Sequence, residues 1–258
     1  MSRPAFTPGR AFLALGLLLI PASGGLRAAA ADDYPPHPDS VVHAGVPKGE
    51  TLRFTIEGSR LFPGTSREVF VYVPRQYDPA QPACLYVNQD RVQWNAPVVF
   101  DNLIAEGKMP VTIALFINPG FAPDKNNPTG KGKDGKPLGK SNRSFEYDSV
   151  TDKYVTFLLE EMIPLVESKG YKVSKDPKRR GIAGASSGGI CAFNAAWHRP
   201  DAFSKVFTTI GSFTNIRGVL SNGKEVGGDQ FPRMVMESPK KDIRIYSQDG
   251  THDLTNQF

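Results

Sequence analysis

Gly184-Ala185-Ser186-Ser187-Gly188 stands between an apolar run, Arg180-Gly181-Ile182-Ala183, and a helical pattern that continues to His198. No other stretch restricts the fold as tightly. A strand that passes directly into a helix needs a sharp turn, and glycines two before and two after Ser186 remove the side chains that would obstruct it. This is the G-x-S-x-G spacing of a nucleophile elbow, whose central serine projects its hydroxyl above the edge of a sheet. The spacing makes Ser186 the candidate nucleophile. Ser187 has Ala185 two before it and fits less well, so its expected contribution is a backbone N–H to an oxyanion hole. A glycine-rich turn with an ordinary serine is the competing interpretation of the pentapeptide.

The rest of the chain supplies the layers such a turn requires. Residues 51–56 and 68–74 read as strands, the second carrying Val69-Phe70-Val71-Tyr72-Val73 before Pro74. Residues 84–88 and 111–118 are apolar runs of buried-strand length, with helical spacing over 98–108 between them. A long amphipathic helix is expected over 149–168, kinked or broken near Pro164, and strands over 205–210 and 242–247. Strands alternating with helices predict an α/β class, with a mostly parallel sheet of about seven strands covered by helices on both faces. Residues 121–143 alternate Lys with Gly, Pro and Asn and read as a long solvated loop, or as a lid over a substrate.

The N-terminus reads as an address. Arg3 and Arg10 precede the apolar residues 11–20, and Ala28 to Ala31 offer an A-x-A cleavage site. Residues 1–31 are therefore expected to be a signal peptide, with a retained anchor as the alternative, and the protein to be secreted or periplasmic. Residues 32–47 read as an extended leader and 48–258 as the folded domain. Removing Arg3, Arg10 and Arg27 would lower the formal charge from +5 to about +2, so the basic balance does not imply nucleic acid. No stable membrane insertion is expected after cleavage, because the apolar run is shorter than the ~20 residues a spanning helix needs. Cys84 and Cys191 lie in apolar segments and are expected to be free buried thiols.

A nucleophilic serine needs an acid, a base and oxyanion donors. The second donor is expected on the loop leaving the earlier central strand, from the backbone of Gln89, Asp90 or Arg91. Asp249 and Asp253 compete for the acid. Asp253 is preferred because it follows the Gly250 turn, whereas Asp249 more naturally shapes that turn. In the elbow's usual order the base is a histidine after the acid, and none follows Asp253 in these 258 residues. His252 is the local alternative. No metal or other cofactor is expected.

Residues 182–213, with Gly184-Ala185-Ser186-Ser187-Gly188-Gly189, Trp197-His198-Arg199-Pro200-Asp201-Ala202-Phe203 and Ile210-Gly211-Ser212-Phe213, resemble the enterochelin-esterase-like branch of the esterase D superfamily. Asn142-Arg143-Ser144-Phe145-Glu146-Tyr147-Asp148 and Leu159-Glu160-Glu161-Met162-Ile163-Pro164 resemble that family's segment before the elbow. The resemblance covers roughly residues 50–258. It implies an α/β-hydrolase fold lacking its last strand and helix here, with Ser186 as nucleophile and Asp253 as triad acid. The family's histidine falls in the part this chain lacks. The implied activity is hydrolysis of a small-molecule or carbohydrate-linked ester; a binding module without catalysis and a gene fragment are the alternatives.

Overall fold

The computed structural model describes residues 35–123, 139–213, 218–219 and 225–250. The expected signal peptide, the basic residues 124–138, and His252 and Asp253 lie outside the described residues. Eleven strands occur among those described: β1 (Glu50–Glu57), β2 (Ser66–Val73), β3 (Cys84–Gln89), β4 (Thr112–Ile117), β5 (Phe121–Pro123), β6 (Gly139–Ser141), β7 (Arg180–Ala185), β8 (Lys205–Thr209), β9 (Gly218–Val219), β10 (Glu225–Val226) and β11 (Arg244–Gln248). The main sheet runs β1-β2-β4-β3-β7-β8-β11, with β5 and β6 joined to β2, while β9 and β10 pair separately. From β4 to β11 neighbouring strands are parallel, and β2 is antiparallel to both β1 and β4.

Sequence pattern follows position in the sheet. At the edge, β1 alternates, with Leu52, Phe54 and Ile56 half-buried between exposed neighbours. In the interior, every residue of β4 is buried, as a strand covered on both faces requires. One face packs Leu85, Val87, Ile113, Leu115, Ile182 and Val206 against α2 (Arg143–Tyr147), α3 (Lys153–Phe157), α4 (Ile163–Ser168) and α5 (Ser187–His198). The other packs Tyr72, Ala114 and Phe116 against Phe100 and Ile104 of α1 (Ala96–Ala105). Burial of residues 187–197 makes α5 the central helix. A short α6 (Phe231–Glu237) adds Phe231 to the same core.

Several expected boundaries change. The ends of the basic stretch are ordered, since β5 pairs with β6 and α2 starts at Arg143. Elements of three to five residues are too short to display a hydrophobic period. The helix expected over 149–168 is three pieces: α3, a π-helical turn at Leu158–Met162, and α4. Pro164 has no N–H to offer Glu160 and its ring crowds that carbonyl, so the chain widens there. Part of the expected extended leader is a turn, Pro38–Ser40, tied to α1. There Asn102 donates to the carbonyls of Asp39 and Val41, both at 2.8 Å, and Asn95 donates to that of Ser40 at 2.7 Å.

Candidate active site

The junction of β7 and α5 is the sharp turn its glycines require. Ser186 has φ 56° and ψ −123°, a conformation that costs a non-glycine residue roughly 1–3 kcal/mol and needs support from its surroundings. Its N–H donates to Thr209 O at 3.1 Å, and its carbonyl accepts from Gly189 and Ile190 at 2.9 and 3.2 Å. The glycines are needed for space. A Cβ on Gly184 would lie 2.3 Å from Gly188 O, and one on Gly189 would lie 2.4 Å from Thr208 Oγ1. The Ser186 side chain is half-buried, and its Oγ lies 3.1 Å from Ser212 Oγ.

Ser212 belongs to the 210–213 stretch that carries the family resemblance, but no spacing relates it to the elbow in the sequence, and it is not among the expected site residues. It follows the bend after β8, where Ile210 has φ 43° and donates its N–H to Gln248 O at 2.8 Å. Ser187 opens α5, where first-turn N–H groups have no partner within the helix. Its side chain is buried near the Asp148 carboxylate. Burial raises the Asp148 carboxyl pKa, opposed by the side chains of Ser187 and Ser144 and by the nearby Arg143 charge.

The loop leaving β3 comes alongside the elbow. A Cβ on Gly188 would lie 3.3 Å from both Asp90 Oδ2 and Gln89 Cβ. Asp90 has φ 66°, and Arg143 holds its carboxylate with Nε and Nη2 at 3.0 Å each. Arg143 Nη2 also lies 3.5 Å from Ala185 O, just before Ser186. The Asp90 N–H donates to Tyr147 Oη at 3.1 Å, and that hydroxyl donates to Ile117 O at 3.1 Å. Gln89 closes β3 in register with Ile117, and Asn88 Nδ2 donates to the carbonyls of Gln89 and Arg91 at 2.7 and 3.4 Å.

Beneath α2, Arg67 and Glu146 form a buried pair at 2.6 and 2.9 Å. Glu146 also accepts from the Gly120 N–H and from Asn142 Nδ2, while the guanidinium lies over the Phe157 ring at 4.4 Å. This pair, absent from the sequence-derived site, fixes the helix that carries Arg143 and Tyr147.

Asp249 follows β11, whose last residue, Gln248, accepts the Ile210 N–H, while His252 and Asp253 lie outside the described residues. Asp249 Oδ1 accepts the N–H of Gly250 at 3.2 Å. His198 ends α5, about 18 Å along the helix from Ser186. Cys84 and Cys191 are free and buried. Among the described residues there is no group of three or more His, Cys, Asp or Glu that could hold a metal, and no helix long and apolar enough to cross a membrane.

A family model described as "Putative esterase" matches residues 61–257. The chain belongs to this esterase family. It is 22% identical over 151 residues to the uncharacterized protein YbbA of Bacillus subtilis (strain 168), covering 57% of this chain and 58% of YbbA. Among solved structures it resembles the enterochelin esterase of Shigella flexneri, with a TM-score of 0.55 and 22% identity over 79% of this chain and 45% of that one. It also resembles the feruloyl esterase module from Clostridium thermocellum complexed with sinapinate, with a TM-score of 0.51 and 17% identity over 84% of this chain and 72% of that module. The esterase-family chain thus shares the mixed α/β fold of these proteins and spans about half the length of the first relatives it matches.

Proposed function

We propose that this chain belongs to an exported serine hydrolase of carboxylic esters that works through an acyl-enzyme on Ser186. The observation that carries the proposal is the strained turn of Ser186, which sets its hydroxyl at the carboxyl edge of the sheet beside the first turn of α5 and the loop leaving β3. Ser186 Oγ attacks the ester carbonyl carbon while its proton passes to a histidine base. The carbonyl π electrons move onto oxygen, which the N–H of Ser187 and an N–H of the β3 loop stabilise. Collapse expels the alcohol, which takes the proton from the imidazolium, and water then hydrolyses the acyl-enzyme by the same steps. Asp253 is the proposed acid that orients the histidine, in the chain order Ser, Asp, His. No step needs a metal.

The proposed substrate is an ester on a small molecule or a carbohydrate, and the proposed location is secreted or periplasmic. The basic–apolar–small pattern of residues 1–31 supports export. The deciding experiment is hydrolysis of p-nitrophenyl acetate by the full chain beside Ser186→Ala. Turnover abolished by the substitution supports the esterase reading. Equal background rates from both proteins overturn hydrolysis by this chain.

A further inference from the structure

Three backbone N–H groups on the β3 loop are candidates for the second oxyanion donor, and their surroundings distinguish them. Gln89 is still in the sheet, in register with Ile117. The Asp90 N–H is committed to Tyr147 Oη, whose own proton goes to Ile117 O. The next peptide N–H is that of Arg91, whose side chain is exposed and whose carbonyl is tied to Asn88 Nδ2. Asp90 between them is in the left-handed region, at φ 66°. An aspartate adopts that region more readily than most residues, but it holds one geometry only when its surroundings fix it.

The fixing groups come from α2. Arg143 grips both oxygens of Asp90 in the planar two-bond arrangement that specifies orientation as well as attraction. Its guanidinium lies 5.2 Å from the Tyr147 ring centre and reaches toward Ala185 O at 3.5 Å. One side chain therefore touches the loop leaving β3 and the residue before Ser186, while Tyr147 takes the Asp90 N–H out of the site.

Resting on the ester-hydrolase reading, we infer that Arg143 and Tyr147 are positioning residues for the oxyanion hole and that the second donor is the backbone N–H of Arg91. Neither side chain touches the reacting carbonyl. Both act by holding the turn at Asp90, so that the following N–H faces the position the oxyanion will occupy.

The test uses the full chain with Tyr147→Phe, Arg143→Gln, Asp90→Asn and the Arg143→Gln/Asp90→Asn double variant. Two quantities are read: kinetics on p-nitrophenyl acetate, and affinity for phenylboronic acid, which adds to a serine Oγ and places an oxygen in the oxyanion hole. Misplacing a donor should lower kcat about 10- to 100-fold with KM changed less than about 3-fold, and weaken boronate binding by a similar factor. The double variant should lose no more than the worse single variant, because the two residues act as one clamp. Tyr147→Phe, which removes a single oxygen, carries the test if Arg143→Gln does not fold. If kcat and boronate affinity in Tyr147→Phe stay within about 2-fold of the parent while Ser186→Ala abolishes turnover, the clamp is only structural and the esterase reading survives. If the parent neither hydrolyses the ester nor binds boronate at Ser186, the esterase reading falls and this inference falls with it.

Discussion

The two sides of the candidate site are built by different means. On one side, Ser186 is set mainly by the contiguous residues 184–189, where a strand ends, a helix begins and glycines clear the space between them, with one distant bond from its N–H to Thr209 O. On the other, the loop at Asp90 is set by partners far away in sequence. Arg143 is 53 positions on and Tyr147 is 57, and α2 beneath them is held by Glu146 to Arg67, 79 positions apart. A local turn tolerates change in its surroundings but little within itself. An assembled loop can be displaced by a substitution on another element entirely.

The contrast can be broken from either side, and the largest effect is expected at the elbow. Ser186→Ala should remove turnover of p-nitrophenyl acetate with little change in unfolding temperature, the loss reaching about 10⁶ only where a histidine base stands beside the serine. Glu146→Ala should act through stability. Leaving Arg67 buried without its partner should cost about 3–5 kcal/mol, read as a lower urea midpoint, and turnover should fall with it. A Glu146→Ala variant as stable as the parent would show that the assembled side is not held by this pair.

Smaller effects separate the contacts around Ser186. Ser212→Ala removes one neutral hydrogen bond to the candidate nucleophile, worth about 0.5–1.5 kcal/mol, so a loss in kcat of about 2- to 10-fold is expected. A loss comparable to that of Ser186→Ala would give Ser212 a chemical role. The smallest effect concerns Asp148, whose carboxyl pKa is raised in the fold by burial above its ordinary 3.8. Because the folded state favours the protonated form, this contribution to stability is fully present below pH 3.8 and is lost as pH rises through the folded-state pKa. Asp148→Asn should therefore gain in unfolding temperature relative to the parent between pH 4 and pH 7. A gap that stays constant with pH would assign the effect to packing.

This division also explains what could be read from the chain itself. The elbow is legible because strand, glycines, serine and helix are contiguous, and the central strands are legible because β3 and β4 contain the apolar runs 84–87 and 113–117. The class of fold followed from their alternation with helices. Residues 121–143 read as one loop because β5, β6 and α2 are each shorter than the window in which a period can be recognised. Gln89, Asp90 and Arg91 were identified as a group by their place after a central strand. Choosing among them needs the partner of the Asp90 N–H, and backbone partners leave no mark in composition. The Arg67–Glu146 pair was invisible for a related reason: a buried charge pair looks like two surface residues until the fold brings its halves together.

The π-helical turn at Leu158–Met162 has a consequence for how the length of this region can vary. Such a turn holds one residue more than the α-helical turn it replaces, so it is the seam where a single-residue insertion can be stored inside a continuous helix. The same turn carries two contacts to a neighbouring loop. Glu160 pairs with Arg60 and the adjacent Glu161 accepts the N–H of Leu61 at 2.8 Å, so two successive acids grip one loop. Removing one residue from this turn would rotate the residues before it by about 100° relative to those after it, so the length of the helix and the anchorage of the 60–61 loop are coupled.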